Sequence, residues 1–397
     1  MQEQQIDTTI TPKKKGISKK TLITVIVTAL ISVLASFLIF VLIFLTGTKT
    51  GKLYLLEAFL NTSFYGDLDR DKLYEGAVSG MLEGTGDKYA DYYNKEETEE
   101  RNMSLDGSAR GIGVLVTLHP DTGNIFVRNV YDDSPANKAG IKDGDQIVAI
   151  DGKKVTEVGY AEAVDSIARE IGETATIELL RGEDLLTVEV TYTELTAQSV
   201  FTKVIYDDVG YIKITAFNRE TPAQFEKGVV DLMNKGVNSL VFDLRRNGGG
   251  TVDSVNEMVD FLCPEGKIMT CKYADGREEV VSSDASEIDL PMVVLTDEGT
   301  ASAAEVFAAS IKDFGKGITV GTKTYGKGVM QSTFTFPDGS CAVFTVAEII
   351  PHSGKSYDGK GIEPDIKVEL TEEQLIYFAV TKTEDDSVVK AAVESLK

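Results

Sequence analysis

Three kinds of hydrophobic pattern follow one another along the chain. From Thr21 to Thr46 the run TLITVIVTALISVLASFLIFVLIFLT holds 26 residues without a charge, more than the roughly 20 a helix needs to cross a bilayer. A transmembrane helix is predicted over 21–46. Residues 47–105 then take helical spacing in LYLLEAFL and DKLYEGAVSGMLE and close on the acidic, aromatic-rich stretch DKYADYYNKEETEERN. This reads as a helical arm with no chemistry of its own. Over 106–195 the apolar runs turn short and glycine-punctuated, as in GIGVLVTL, NIFVRNVY and DQIVAIDGKKV. Alternation in TATIELL and LTVEVTY has the period of two of half-buried strands, and YAEAVDSIAREIG spaces Ala163, Ile167 and Ile171 at helical intervals. A mainly β domain with one or two helices is predicted.

Residues 196–375 alternate strand and helix patterns. VGYIKITAF reads as a strand. TPAQFEKGVVDLMNKG reads as a helix capped by Thr221, with Pro222 in its first turn, a stripe of Phe225, Val229, Leu232 and Met233, and Gly236 as its stop. NSLVFDL returns as a buried strand, so the unit is a parallel crossover in an α/β core with a mixed sheet. The terminal segment, 376–397, reads as surface helix.

Charge orients this plan. Residues 1–50 carry six lysines against Glu3 and Asp7, so the −23 of the whole chain leaves a net −27 on the remainder. Lys13, Lys14, Lys15, Lys19 and Lys20 precede the apolar run. They hold residues 1–20 as a cytoplasmic basic tail and send residues 47–397 outside the cell membrane. A cleaved signal peptide competes with this, but the run exceeds the roughly 7 to 15 residues of such a core, and no A-x-A site follows it. A strongly acidic ectodomain repels phosphate backbones, which argues against nucleic acid as a partner. Cys263, Cys271 and Cys341 lack metal-ligand spacing, and His119 and His352 are the only histidines. No metal site is expected and at most one disulfide, with Cys263–Cys271 the first pairing to test.

Loops at the carboxyl ends of strands are where sites gather in an open α/β sheet. LVFDL runs into RRNGGG, and PMVVL runs into TDEGTAS. Consecutive Gly248, Gly249 and Gly250 leave main-chain N–H groups accessible to an anion, though a flexible turn has the same composition. Ser302 stands at the mouth of a helix. Ser302 to Glu305 also spells a capping box, so it is either a cap or a nucleophile in wait of a base. His352 would serve a Ser/His/Asp triad. Lys327 is the other base, flanked by Gly326, Gly328, Val329 and Met330, since a lysine works as a base only when burial lowers its pKa. On an extended segment Lys327, Val329 and Gln331 share one face. Taken alone, Lys327 also fits a solvated surface lysine.

Two resemblances weigh these alternatives. GIGV at Gly111, Ile112, Gly113 and Val114, with SPANKAGIKDGDQIVAIDGKKV at 134–155, resembles a PDZ domain. That implies a carboxylate-binding loop beside an open strand edge. TASAAE followed by KTYGKGVMQ, with GYIKITAF, DLRRNGGG and GKGIEPD, resembles the carboxyl-terminal processing proteases, peptidase family S41, over about 70–397. The resemblance implies a crotonase-like protease core and a Ser/Lys dyad that needs no cofactor. Ser302 would be the nucleophile, Lys327 the general base and Gln331 its support. Main-chain N–H groups of Ala303 and of the Gly248–Gly249 turn would hold the oxyanion, while Glu305 stays structural. It further implies protein substrates with free C-terminal tails and a homodimer. The sensor arginine of some members has no clear match, Arg169 being offset. The other reading is a membrane-tethered scaffold that binds tails without cutting them.

Overall fold

The computed structural model describes residues 18–397 apart from Ala168; the basic tail expected over 1–20 lies mostly outside them. Two compact units divide the chain, the first ending at Ala77. In it the apolar run forms a single helix, Lys19–Gly47, none of whose residues is buried, and it is long and apolar enough to cross a membrane. A second helix, Lys49–Ser63, follows, with the Glu57 carboxylate held by Arg70 and by Tyr74 Oη at 2.5 Å.

The second unit holds the three sheets that matter for function. In the PDZ-like domain the order is Val114–Leu118, Ile125–Val130, Gln146–Ile150, Thr174–Arg181, Asp184–Thr191, each pair antiparallel. Alternate residues of Thr174–Arg181, namely Ala175, Ile177 and Leu179, are fully buried, as the period-two pattern predicts. Val114–Leu118 lies at the sheet edge, its outer side unpaired among the described residues. The helix expected through Ile171 stops at Asp165, and Ile171 is exposed. The reason is Arg169, which folds back to donate to the Ser166 carbonyl at 3.1 Å and the Thr174 carbonyl at 3.1 Å and to pair with Asp151. Its guanidinium satisfies a terminal carbonyl that another helical turn would otherwise have taken up.

The protease core is built on a six-stranded sheet: Val200–Ile205, Val209–Ile214, Ser239–Asp243, Met292–Thr296, Gly317–Gly321, Ile366–Lys367. The first pair is antiparallel and the rest are parallel, a mixed sheet. Ser239–Asp243 and Met292–Thr296 are buried throughout, as expected of strands covered on both faces. One face is covered by Thr221–Asn234, Val252–Leu262 and Ala303–Asp313, packing Phe225, Val259 and Phe307 against Ile212, Leu240 and Phe242. The other is covered by Ser387–Ser395, whose Val388, Val389, Ala392 and Val393 meet Val241, Val293 and Leu295. The last helix is therefore part of the core rather than surface decoration. Beyond the three helices lies an antiparallel sheet in which Cys341–Pro351 pairs with Val329–Thr335 on one side and with Asp91–Tyr93 and Gly266–Tyr273 on the other.

Three finer expectations are corrected. Thr221 is the first helical residue and not its cap; its hydroxyl accepts from Asn218 N at 3.0 Å. Met233 is exposed, because the stripe through Phe225, Val229 and Leu232 has already turned past it. Cys263, Cys271 and Cys341 are all free and buried, with burial pushing the Cys263 thiol up to about 12.

Candidate active site

The strand Ser239–Asp243 delivers the chain to Arg245, Arg246, Asn247 and the glycine turn. Asn247 is fully buried and organises everything around it. Its side chain donates to the Ile214 carbonyl at 2.9 Å and accepts from Gly249 N at 2.8 Å, and its carbonyl accepts from Ala301 N at 3.0 Å. One asparagine thereby ties the neighbouring strand, the glycine turn and the residue before Ser302. Gly250 is pressed against Phe217, whose N–H donates to the Gly249 carbonyl at 3.0 Å and whose carbonyl accepts from Thr251 N at 2.7 Å.

Ser302 has φ 57° and ψ −121°, a left-handed backbone that a serine rarely takes. Space decides what can stand opposite. A Cβ on Gly249, itself at φ 99°, would lie 2.7 Å from the Ala301 carbonyl, 2.8 Å from Ser302 Cβ and 2.9 Å from Ala303 N. Only glycine fits there. The Gly249 N–H is committed to Asn247, whereas those of Gly248 and Ala303 have no partner among the described residues. Ser302 stands at the N-cap position, yet its hydroxyl makes no capping hydrogen bond. The expected box is made from its other half, with Ser302 N donating to Glu305 Oε2 at 3.0 Å.

Glu305 does more than cap. Fully buried, it also accepts from Lys327 N at 2.7 Å on Oε2, and from Gly326 N at 2.7 Å and Thr324 Oγ1 at 2.5 Å on Oε1. The helix mouth that bears Ser302 and the loop that bears Lys327 are thus clamped by a single carboxylate.

Lys327 Nζ donates to Gln331 Oε1 at 2.7 Å and lies 4.7 Å from the Tyr89 ring centroid. It forms no salt bridge among the described residues, and burial lowers its pKa; Asp87 opposes that shift and Arg101 adds to it. Gln331 Nε2 in turn donates to the Tyr89 carbonyl. Lysine and glutamine meet as the extended reading implied, although a register shift between Met330 and Gln331 breaks strict alternation. No hydrogen bond joins Nζ to Ser302 Oγ here; the amine points to Gln331. His352 stacks on Phe314 at 4.6 Å and bonds the Lys267 carbonyl at 2.7 Å. Phe314 closes the C-terminal end of the helix that Ser302 opens, and 11 residues of helix span about 16 Å, which removes the histidine triad.

The sequence reading missed two contributors. Asn247 looked like loop polarity beside three glycines. Tyr89 belongs to the arm read as free of chemistry; Asp87 pins it there by accepting from Tyr89 N at 3.0 Å and Thr345 N at 2.7 Å. The PDZ loop forms a separate place on its own domain. Its Ile112 is buried, with its carbonyl accepting from Ala136 N at 2.8 Å. Gly113, at φ 80°, leaves no room for a Cβ, which would come within 2.3 Å of Ser134 Cβ. The N–H groups of Ile112 and Gly113 have no partner among the described residues.

Residues 208–368 match the model of peptidase family S41, and residues 111–192 match that of the PDZ domain. The "Carboxy-terminal processing protease CtpA" of Bacillus subtilis (strain 168) is 31% identical over 358 residues, 88% of this chain and 76% of that protein. This chain belongs to peptidase family S41. The "Probable CtpA-like serine protease" of Staphylococcus aureus (strain N315) is 30% identical over 380 residues, 93% of this chain and 76% of its own length. Among solved structures an S41-type protein from Bacteroides fragilis NCTC 9343 shares the fold, with TM-score 0.59 and 20% identity over 84% of this chain and 92% of that one. The protein is therefore a CtpA-like serine peptidase of the S41 family that carries a PDZ domain.

Proposed function

We propose that this S41 peptidase cleaves protein substrates with a Ser302/Lys327 dyad after its PDZ domain has taken up their free C-terminal tails. In the reaction Lys327 Nζ, uncharged, accepts the Ser302 proton as Oγ bonds to the scissile carbonyl carbon. The oxyanion is received by the N–H groups of Gly248 and Ala303, at the positive end of the helix that begins at Ala303. Collapse breaks the C–N bond, and Lys327 returns its proton to the leaving amine. Water then attacks the acyl-enzyme, Lys327 takes a water proton, and Ser302 leaves with that proton restored. Gln331, held by Tyr89, keeps the amine oriented. Catalytic hydrogen bonds are often long without substrate and tighten in the complex, in keeping with an amine that rests on Gln331.

The observation that carries this reading is the strained Ser302 backbone, seated against Gly249 with its hydroxyl uncapped and two unpaired N–H groups beside it. A helix cap has no use for that strain. Tail binding rests on the free edge of Val114–Leu118 and the unpaired N–H groups of the 111–114 loop, the groups needed to add a strand and to hold a carboxylate. The helix Lys19–Gly47 anchors the chain, with the acidic remainder outside the membrane. The proposed division is basic tail 1–20, span 21–46, arm 47–105, PDZ domain 106–195, protease core 196–375 and terminal segment 376–397. A homodimer is the proposed assembly.

The test compares full-length protein in detergent with Ser302→Ala and Lys327→Ala on an unstructured protein bearing an apolar tail. Both variants should lose cleavage, and amidation of the substrate tail should weaken it. Equal proteolysis by all three proteins would reject the dyad, and wild-type binding of the tail without cleavage would favour the scaffold.

A further inference from the structure

Phe378 sits where the PDZ domain, the glycine turn and the C-terminal segment meet. It follows the helix Glu372–Tyr377 and is 8% exposed. Three guanidinium groups surround its ring: Arg246 Cζ at 4.2 Å from the centroid, Arg245 at 4.8 Å and Arg128 at 5.9 Å. Arg128 comes from the PDZ strand Ile125–Val130, the other two from the segment leading to Gly248. Arg245 is fixed independently, buried between Asp243 and Asp386 at 2.8 Å from each. The side chains of Arg128 and Arg246 have neither a salt bridge nor a hydrogen bond among the described residues. A π face attracts guanidinium groups, so the ring is the partner shared by two otherwise unpaired cations, one on each domain.

What the ring touches leads to the reaction centre. Arg246 has φ 61°, and its N–H is held by Asp297 Oδ1 at 2.8 Å. The next residue is Asn247, which fixes both the glycine turn and Ala301. A displacement of Arg246 is thereby passed to Gly248 and to Ser302. The segment bearing Phe378 is pinned on both sides, by Tyr377 Oη to Asp121 Oδ1 of the PDZ domain at 2.6 Å and by Asp386 to Arg245 of the core. Beside it the PDZ domain and the core part around a cavity of about 1000 Å³ lined by Val130, Tyr211, Val380 and Lys382. Phe378 is thus a bridge next to a gap.

We propose that Phe378 is a positioning residue for the oxyanion turn, coupling the PDZ domain to it through Arg128 on one side and Arg246 on the other; this rests on the Ser302/Lys327 reading above. The full-length protein in detergent tests it with Phe378→Leu, which keeps apolar volume and loses the π face, Phe378→Tyr, which keeps both, and Arg128→Met. Two substrates are used, a tail-bearing unstructured protein and a small activated ester with no tail. Phe378→Leu should lower kcat on both substrates roughly 10- to 100-fold, the scale for misplacing a catalytic group by about 1 Å, with KM for the tailed protein unchanged. Phe378→Tyr should restore wild-type kcat. Arg128→Met should leave ester hydrolysis intact and lower kcat on the tailed protein alone. Unchanged kcat in Phe378→Leu, or a loss that only follows a lower Tm and is not restored by tyrosine, would overturn the positioning role. Unchanged kcat on the tailed protein in Arg128→Met would overturn the coupling. Ester hydrolysis surviving in Ser302→Ala would instead reject the dyad itself.

Discussion

The main-chain N–H groups of Ser302 and Lys327 converge on one oxygen, Glu305 Oε2, at 3.0 and 2.7 Å. The proposed nucleophile and the proposed base are therefore positioned by a group to which the proposed reaction gives no proton transfer. Glu305→Gln is nearly isosteric but turns an N–H2 towards main-chain donors. Glu305→Ala leaves four donors around a buried void, and each unsatisfied buried group costs about 1 to 3 kcal/mol. Both variants should lose more than 100-fold in kcat, by analogy with the roughly 100-fold cost of a 1 Å misplacement, and should melt at lower temperature than wild type. Calorimetry with steady-state kinetics checks this, and near-normal kcat in Glu305→Gln would reject the clamp.

Much of this arrangement was legible in the chain, for reasons that differ residue by residue. The two strands that feed the site announced themselves as apolar runs because both faces are covered. Ser302 and Glu305 are three apart, so their half of the clamp is local and readable as a capping box. The bonds from Thr324, Gly326 and Lys327 to the same carboxylate span a strand and a turn, and nothing in the spacing predicts them. Tyr89 lies 242 residues from Gln331, whose amide it orients, and in sequence it belongs to an acidic arm. The helix Ser387–Ser395 was different: it read as surface, because the short stripe of Val388, Val389, Ala392 and Val393 does not tell from local spacing that a sheet face formed by Val241, Val293 and Leu295 will cover it.

The pH dependence follows from the surroundings of Lys327. Burial lowers its pKa below the usual lysine range, so the neutral amine that the reaction needs exists at lower pH than for a free lysine. kcat/KM should rise with pH along a limb set by this group. Asp87 raises the lysine pKa, so Asp87→Asn, which keeps an oxygen for Thr345, should move that limb to lower pH. Stability obeys the same linkage: the unfolded chain binds the proton more tightly, so this site disfavours the folded state at neutral pH and does so less as pH rises. Lys327→Met should accordingly abolish activity while raising Tm. A limb unmoved by Asp87→Asn, or a fall in Tm in Lys327→Met, would contradict this account.

On the PDZ domain, Gly113 separates recognition from chemistry. Its left-handed backbone and the 2.3 Å approach of a Cβ to Ser134 mean that Gly113→Ala distorts the 111–114 loop while leaving the protease core untouched. KM for a tailed protein should rise on the order of tenfold, the effect of about 1.4 kcal/mol, with hydrolysis of a tail-free ester unchanged. Loss of both activities together, in a protein that still folds, would show that the loop does more than capture tails.

Gly248 and Gly249 are adjacent and chemically identical, yet they should respond oppositely to one added methyl group. At Gly248 the backbone is not left-handed and a Cβ meets nothing within 4 Å; the residue is exposed and offers only its N–H. At Gly249 the N–H is already taken by Asn247, and a Cβ would strike the Ser302 elbow from 2.8 Å. Gly248→Ala should keep activity within about threefold, since alanine donates the same N–H and, at a backbone it can adopt, restricting the unfolded chain stabilises the fold by about 0.4 to 1 kcal/mol. Gly249→Ala should lose on the order of 100- to 1000-fold in kcat, the range for a lost oxyanion donor, because the turn and Ser302 have to move apart. If the two substitutions had equal effects, or if Gly248→Ala were the more damaging, the assignment of the oxyanion donor to Gly248 N–H rather than to Gly249 would have to be reversed.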